Sequence, residues 1–175
     1  MIVHTSLMLC DDGYRHGMTR SAGLLLYRRT EDGEIEVMLG HMGGPYWSRK
    51  ESGAWSIPKG GRERGETSLE AARREFEEEI GRPAPDGEPV ALGDVRQSGG
   101  RKIVEAWAIE SDMDVGEIDS TPFEMEWPPR SGKLREFPEL DRAEWFTVEA
   151  ARERIVKAQA AFLDRLLDLV GAAAS

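Results

Sequence analysis

The sequence predicts an α/β fold, a mixed β-sheet with helices covering its faces, and three observations lead there. Apolar runs of strand length lie on both sides of one well-bracketed central helix, from about Ser68 to Ile80. The chain then closes on amphipathic helical sequence. Its 175 residues, 39% hydrophobic and 32% charged, are enough for one compact domain with a real core.

The elements follow in order. Residues 1–17 show no sustained period and read as an N-terminal extension ahead of a domain spanning 18–175. SAGLLLY, within Arg20 to Arg28, is a buried strand, and EIEVMLG places Ile35, Val37 and Leu39 on one face of the next. Asp32-Gly33 between them is a hairpin signal. A Gly-rich loop over 41–53 carries Tyr46 and Trp47, and the short strand AWSI follows. Thr67 and Glu70 form a capping box at the start of the central helix, and Gly81 with Pro83 stops it. After a Pro-rich linker, VALGDVRQ and KIVEAWAIE are two strands joined at SGGR. FEMEW alternates Phe123, Met125 and Trp127 against Glu124 and Glu126, and EWF is a last short strand. Thr147 caps one or two helices, with Ile155, Phe162, Leu166 and Leu169 on the apolar face.

Composition excludes several classes of function. A net charge of −10 disfavours broad binding to nucleic acid or to anionic lipid, both of which need a cationic surface. No apolar run is long enough to cross a bilayer, and SLMLC is too short for a signal peptide, so a cytoplasmic location is expected. The single cysteine, Cys10, rules out an internal disulfide and a cysteine metal cluster, and is read as an incidental thiol. The Rossmann, P-loop and zincin signatures are absent.

The central helix is unusual in its charge. RREFEEEIG crowds Glu75, Glu77, Glu78 and Glu79 into little more than one turn, where like charges at helical spacing repel. At about 100° per residue, Glu75, Glu78 and Glu79 share an arc of roughly 100° while Glu77 points away. Leu69, Ala72, Phe76 and Ile80 make an apolar stripe beside that arc, which holds the acids at the edge of the core. Hard oxygen ligands gathered there suit Mg²⁺ or Mn²⁺. Helical spacing also lets Arg74 brace Glu70 and Glu78. The alternative is a solvated helix face with intrahelical ion pairs.

The segment before the helix decides between these readings. GGRERGETSLEAARREFEEEIG places Gly60, Glu66, Arg74, Glu75, Phe76, Glu78, Glu79 and Gly81 at the spacings G-x5-E-x7-R-E-U-x-E-E-x-G-U, where U is apolar. At roughly 7% usage per fixed letter, chance would produce this far less than about once in a million windows. That pattern is the Nudix box, and the chain from Met18 to about Val170 resembles a Nudix hydrolase. One position departs from it: Arg82 stands where the pattern has an apolar residue.

The resemblance implies a Nudix-type α/β/α sandwich with a central mixed sheet, and an enzyme that cleaves a diphosphate linkage with Mg²⁺ (or Mn²⁺). Carried over residue by residue, it makes Glu75, Glu78 and Glu79 metal ligands, with a backbone carbonyl near Lys59 or Gly60 as a further ligand. Arg74 would orient a ligand carboxylate, and Glu66 would be a structural support. Gly60 and Gly65 suit close backbone approaches. A general base is still required. Glu139 is the first choice, since it lies six residues before Trp145 and family members often place a glutamate just before a Trp-containing strand. Glu79 and Glu78 are the alternatives, and Glu105, Glu124 and Glu126 are weaker candidates.

The lead-in WSIPKG resembles the dinucleoside polyphosphate and diphosphoinositol polyphosphate branches of the family. Lys59 could then meet an extra phosphate. Tyr46 and Trp47 are candidates for stacking on a base, and Arg49, Lys50, Arg130 and Lys133 for phosphate contacts. For each of these the competing reading is ordinary packing or a solvated surface. His41, at a strand end, reads as structural, and His4 and His16 carry no visible role. The substrate expected is a nucleoside polyphosphate such as a dinucleoside tetraphosphate. The alternatives are pyrophosphatase action on ADP-ribose, a nucleotide sugar or a nucleoside triphosphate, or a nucleotide-sensing module without catalysis. The partners implied are a small-molecule nucleotide or polyphosphate, with no nucleic acid and no membrane. Family members are often homodimers, and nothing in the sequence decides that point.

Overall fold

A computed structural model describes residues 18–173. The expected extension over 1–17, with His4, Cys10 and His16, lies outside the described residues. Strand β1 (Thr19–Arg29) runs through the middle of the sheet. It pairs in parallel with β6 (Lys102–Glu110) and antiparallel with β2 (Ile35–Met42), which makes the sheet mixed. The order continues outward to β3 (Trp55–Ser56) on one side and β5 (Val90–Gln97) on the other. Two more strands join it, β4 (Lys59–Gly61) on β1 and β9 (Leu140–Thr147) on β2.

SAGLLLY reads as an unbroken apolar run because both faces of β1 are covered. Ala22, Leu24 and Leu26 point to one core, packed by Ala71, Ala72, Phe76 and Ile80 of α1 (Ser68–Ile80). Leu25 points to the other, packed by Val148 and Ala151 of α2 (Val148–Arg154) and by Phe162, Leu163 and Leu166 of α3 (Ala160–Ala173). The result is three layers, helix on sheet on helices, the α/β/α sandwich expected above.

Helix α1 is fixed at both ends by the predicted chemistry. The Thr67 side chain accepts from the Glu70 N–H, and Glu70 Oε2 accepts from the Thr67 N–H at 2.8 Å. At the other end Gly81 adopts φ 81°, left-handed, and its N–H bonds to the Glu77 carbonyl.

Some elements differ from the sequence reading. The last sheet strand is longer than EWF, spanning Leu140–Thr147, because it is held along its length by pairing with β2. FEMEW does alternate, but β7 (Pro122–Glu126) pairs with an unexpected β8 (Leu134–Pro138) in a separate hairpin rather than entering the main sheet. Two helices follow Thr147, broken at Ile155, which is buried but extended and bridges to Trp55. Leu169 is 40% exposed and leaves the apolar face to Phe162, Leu163, Leu166 and Val170, so its assignment there is corrected. Among the described residues no helix is long and apolar enough to cross a membrane.

Candidate active site

The box loop enters along β4 and α1 leaves from it, so the acidic arc of the helix faces the backbone of residues 59–61. Glu79 is 8% exposed, and its Oε2 accepts from the Lys59 N–H at 3.0 Å. Burial pushes its pKa up to about 8, against the pull of Lys59. Glu75 is also pushed up by burial, with Arg74 opposing. Glu77 and Glu78 are exposed.

Arg74 organises the remaining acids. Its Nε and Nη2 fork onto both oxygens of Glu66 at 2.6 and 3.0 Å, and Nη2 also reaches the Gly61 carbonyl at 2.8 Å. Nη1 bonds Glu75 Oε1 at 2.9 Å and Glu78 Oε1 at 3.2 Å. Glu66, held below its usual range chiefly by the Arg74 hydrogen bond, also accepts from the Glu63 N–H. Helical spacing alone had paired Arg74 with Glu70. That pairing is corrected: the Glu70 carboxylate is engaged at the helix cap, and Glu66, outside the helix, takes its place.

The three expected ligands therefore do not stand as one cluster. Glu75 and Glu78 turn to the guanidinium, and Glu79 turns to the Lys59 backbone. Among the described residues no three acidic, His or Cys side chains are drawn together as they would be around an ion. The local chemistry nevertheless fits a divalent cation. Two carboxylates are kept out of water with a raised proton affinity, beside the β4 backbone, which leaves room for them. That room depends on Gly60, where a Cβ would collide with the Glu75 carboxylate. Because the clash is with the end of a flexible side chain, Gly60→Ala is expected to leave the thermal midpoint nearly unchanged while moving Glu75. Turnover should fall by about 10²-fold, measured beside a melting curve.

A cavity of about 120 Å³ opens beside Glu79, lined by Met42, Trp47, Ser56, Lys59, Glu139 and Leu140. The structure thus brings Lys59, Trp47, Glu79 and Glu139 together. Although much of Glu139 faces solvent, protein around its carboxylate pushes its pKa up, with Lys59 and Lys102 opposing. Lys102, at the start of β6, is the residue that sequence reasoning missed. Its half-buried ammonium meets Lys59, and burial together with that neighbour lowers its pKa to about 8. The only sequence signal was a lone lysine opening an apolar strand.

Other candidates lie apart from this cavity. Tyr46 is 53% exposed and meets Trp127 edge-to-face at 5.3 Å. Lys50 places its ammonium over the Trp47 ring at 5.1 Å, and Arg49 is exposed nearby. Arg130 and Lys133 are exposed between β7 and β8. Glu124 lies on the exposed face of that hairpin, and Glu126 accepts from the Gly132 N–H within it. Glu105 sits on β6 opposite Ala22 and Asp94, away from the cavity lining. A larger hollow of about 460 Å³, beside Arg28, Met113 and Trp145, shares no residue with the box. Arg28 there is already tied to Glu36 and Asp112.

A family model, the NUDIX domain, matches residues 18–166. The chain belongs to the NUDIX family. Among solved structures, a Caenorhabditis elegans Ap4A hydrolase in a binary complex is similar over 89% of this chain and 99% of its own, at 21% identity and a TM-score of 0.63. The NUDIX domain of Shewanella oneidensis NrtR, complexed with ADP ribose, is similar over 87% of this chain and 88% of its own, at 11% identity and a TM-score of 0.59. A mutT/nudix family protein from Listeria innocua is similar over 89% and 95%, at 17% identity and a TM-score of 0.58. At such identities the likeness is one of fold. No curated protein matches the chain by sequence.

Proposed function

We propose that this NUDIX-family protein is a hydrolase that uses Mg²⁺ or Mn²⁺ to cleave a diphosphate linkage in a nucleoside polyphosphate, such as a dinucleoside tetraphosphate, by attack of water. The observation that carries the reading is the cavity lined by Glu79, Glu139 and Lys59, whose ammonium adjoins that of Lys102 on β6. Two lysines held against each other in a chain of net charge −10 are suited to an anion, and a polyphosphate supplies one.

In this reading Glu75, Glu78 and Glu79, with a backbone carbonyl at Lys59 or Gly60, hold the metal. The metal would polarise the phosphate and lower the pKa of the attacking water. Arg74 orients Glu75 and Glu78, and Glu66 in turn fixes Arg74. Glu139 takes the proton: its raised pKa moves it toward the range where a carboxylate works as a base near neutrality. Lys59 and Lys102 bind phosphate oxygens, and Trp47 forms a wall of the cavity. A cavity of about 120 Å³ takes only part of a dinucleotide. The remainder would extend toward exposed Tyr46, with Arg49, Arg130 and Lys133 as the outer cations.

The Ap4A hydrolase among the similar folds agrees with this choice, and the ADP-ribose complex of another keeps ADP-ribose as the second reading. A panel of diadenosine tetraphosphate, ADP-ribose, a nucleotide sugar and ATP, each with Mg²⁺ and resolved by ion exchange, separates them. Conversion of diadenosine tetraphosphate to ATP and AMP is the expected result. Preferential cleavage of ADP-ribose would replace the first reading by the second, and tight binding without turnover would overturn both.

A further inference from the structure

His41 ends β2 inside the protein with no exposed surface. Its Nδ1 lies 2.8 Å from Asp141 Oδ1, and its Nε2 lies 2.7 Å from the carbonyl oxygen of Lys50. A carbonyl can only accept, and so can an ionised carboxylate. A neutral imidazole has a single N–H to give, so one of the two contacts would set lone pair against lone pair. Two protons are therefore needed, one on Nε2 for Lys50 and one between Nδ1 and Asp141. Arg142 Nη1 stands 3.6 Å from the same Asp141 oxygen, and this second cation favours the carboxylate. The proton then belongs to the ring.

We infer that His41 is a positioning residue held as an imidazolium, which staples the loop over residues 43–50 to β9 and so fixes two walls of the candidate cavity relative to each other. The loop carries Trp47, one wall. Asp141 is two residues from Glu139, another wall. Among the described residues few backbone bonds hold the loop otherwise: Gly43 N–H to the Glu139 carbonyl at 2.9 Å, Trp47 N–H to the Gly44 carbonyl at 3.2 Å and Lys50 N–H to the Trp47 carbonyl at 2.8 Å. Two of those three are internal to the loop, so they shape it without anchoring it.

Charged groups from three elements pack around the ring. Asp141 faces it from β9, with Arg142 behind. Glu51, on the loop side, bonds Trp55 Nε1, whose ring meets His41 edge-to-face at 5.1 Å. Arg142 from β9 and Arg154 from α2 both pair with Glu51. The ring thus lies between two carboxylates, Asp141 paired with Arg142 and Glu51 paired with both Arg142 and Arg154. Hydrogen bonds to a charged donor are about twice as strong as neutral ones, which makes the imidazolium a firmer staple than a neutral ring.

The test uses the full chain labelled with ¹⁵N, with His4 and His16 replaced by Asn so that only His41 reports. At about pH 7 both ring nitrogens are expected to carry protons; a single protonated nitrogen would overturn the inference. In Asp141→Asn the ring is expected to become neutral, and amide exchange over residues 43–50 to rise about tenfold or more. Unchanged exchange in that variant would also overturn it. The functional consequence rests on the proposed reaction: KM for the hydrolysed nucleotide should rise about tenfold while kcat stays within about twofold, because the released loop carries Trp47, which binds and does not react, while Glu139 stays flanked by β8 and β9. An equal fall in kcat, with KM unchanged, would contradict the positioning role. The two spectroscopic measurements need no substrate, so failure to hydrolyse any nucleotide would strike the proposed function and leave the staple to be judged on its own.

Discussion

Replacing Glu79 by Gln is expected to lower turnover by about 10³-fold while the chain stays folded. Glu79 is the acid most enclosed by protein, it contacts the Lys59 backbone, and it lines the cavity with Glu139 and Lys59. The amide has the same shape but no charge to offer a cation. The same variant carries an opposite signature in stability. The folded-state pKa of Glu79 is raised from 4.5 to about 8, so folding favours the protonated form. This contribution is fully present below the unfolded value and is lost as pH rises through about 8. In the absence of metal, Glu79→Gln should therefore melt higher than the parent above that pH, and the gap should close in acid. Thermal melts in chelator across the pH range measure it. A variant that loses activity only because it unfolds would melt lower at every pH.

Replacing Arg74 by Ala should be the most damaging change to the architecture of the site. One guanidinium joins Glu66, Glu75, Glu78 and the Gly61 carbonyl, and its side chain is only 24% exposed. Without it three carboxylates lose their shared counter-charge, at a cost of about 2–4 kcal/mol and roughly 10 °C in Tm. Mg²⁺ should restore part of that loss in the variant, because a cation can replace the missing charge among the same oxygens. Arg74→Lys is expected to recover little, since an ammonium cannot fork onto Glu66 while reaching Glu75 and Glu78. Calorimetric melts with and without Mg²⁺ check both statements. A variant as stable as the parent would show the network to be incidental.

What could be read in advance follows from the range of the interactions. The helix over 68–80 was legible to the residue because Thr67, Glu70 and Gly81 act within a turn of it. The central strands were legible because SAGLLLY is buried on both faces, and β2 had its turn signal beside it. β4 was hidden because Lys59-Gly60-Gly61 has no strand-forming side chains; it is a strand only through its pairing with Ser21 to Gly23. β8 was hidden because LREFP is mostly exposed and ends in proline, and its partner β7 defines it. The box motif located Arg74 and the glutamates, but not which acid each group would hold. Arg74 to Glu66 crosses from helix to loop, and Lys102 reaches Lys59 from another strand. Such contacts have no sequence spacing of their own.

The central claim is that this crowd of acids stays together because divalent cations and a bound polyphosphate complete it. Calorimetric titration of Mg²⁺ or Mn²⁺ at about pH 7, in two buffers of different ionisation heat, tests it most directly. Saturable uptake with release of protons is predicted, since Glu79, with a pKa of about 8, must give up its proton to serve as a ligand. No uptake, even with nucleotide present, together with a Glu78→Gln variant unchanged in folding and in every activity, would contradict the account.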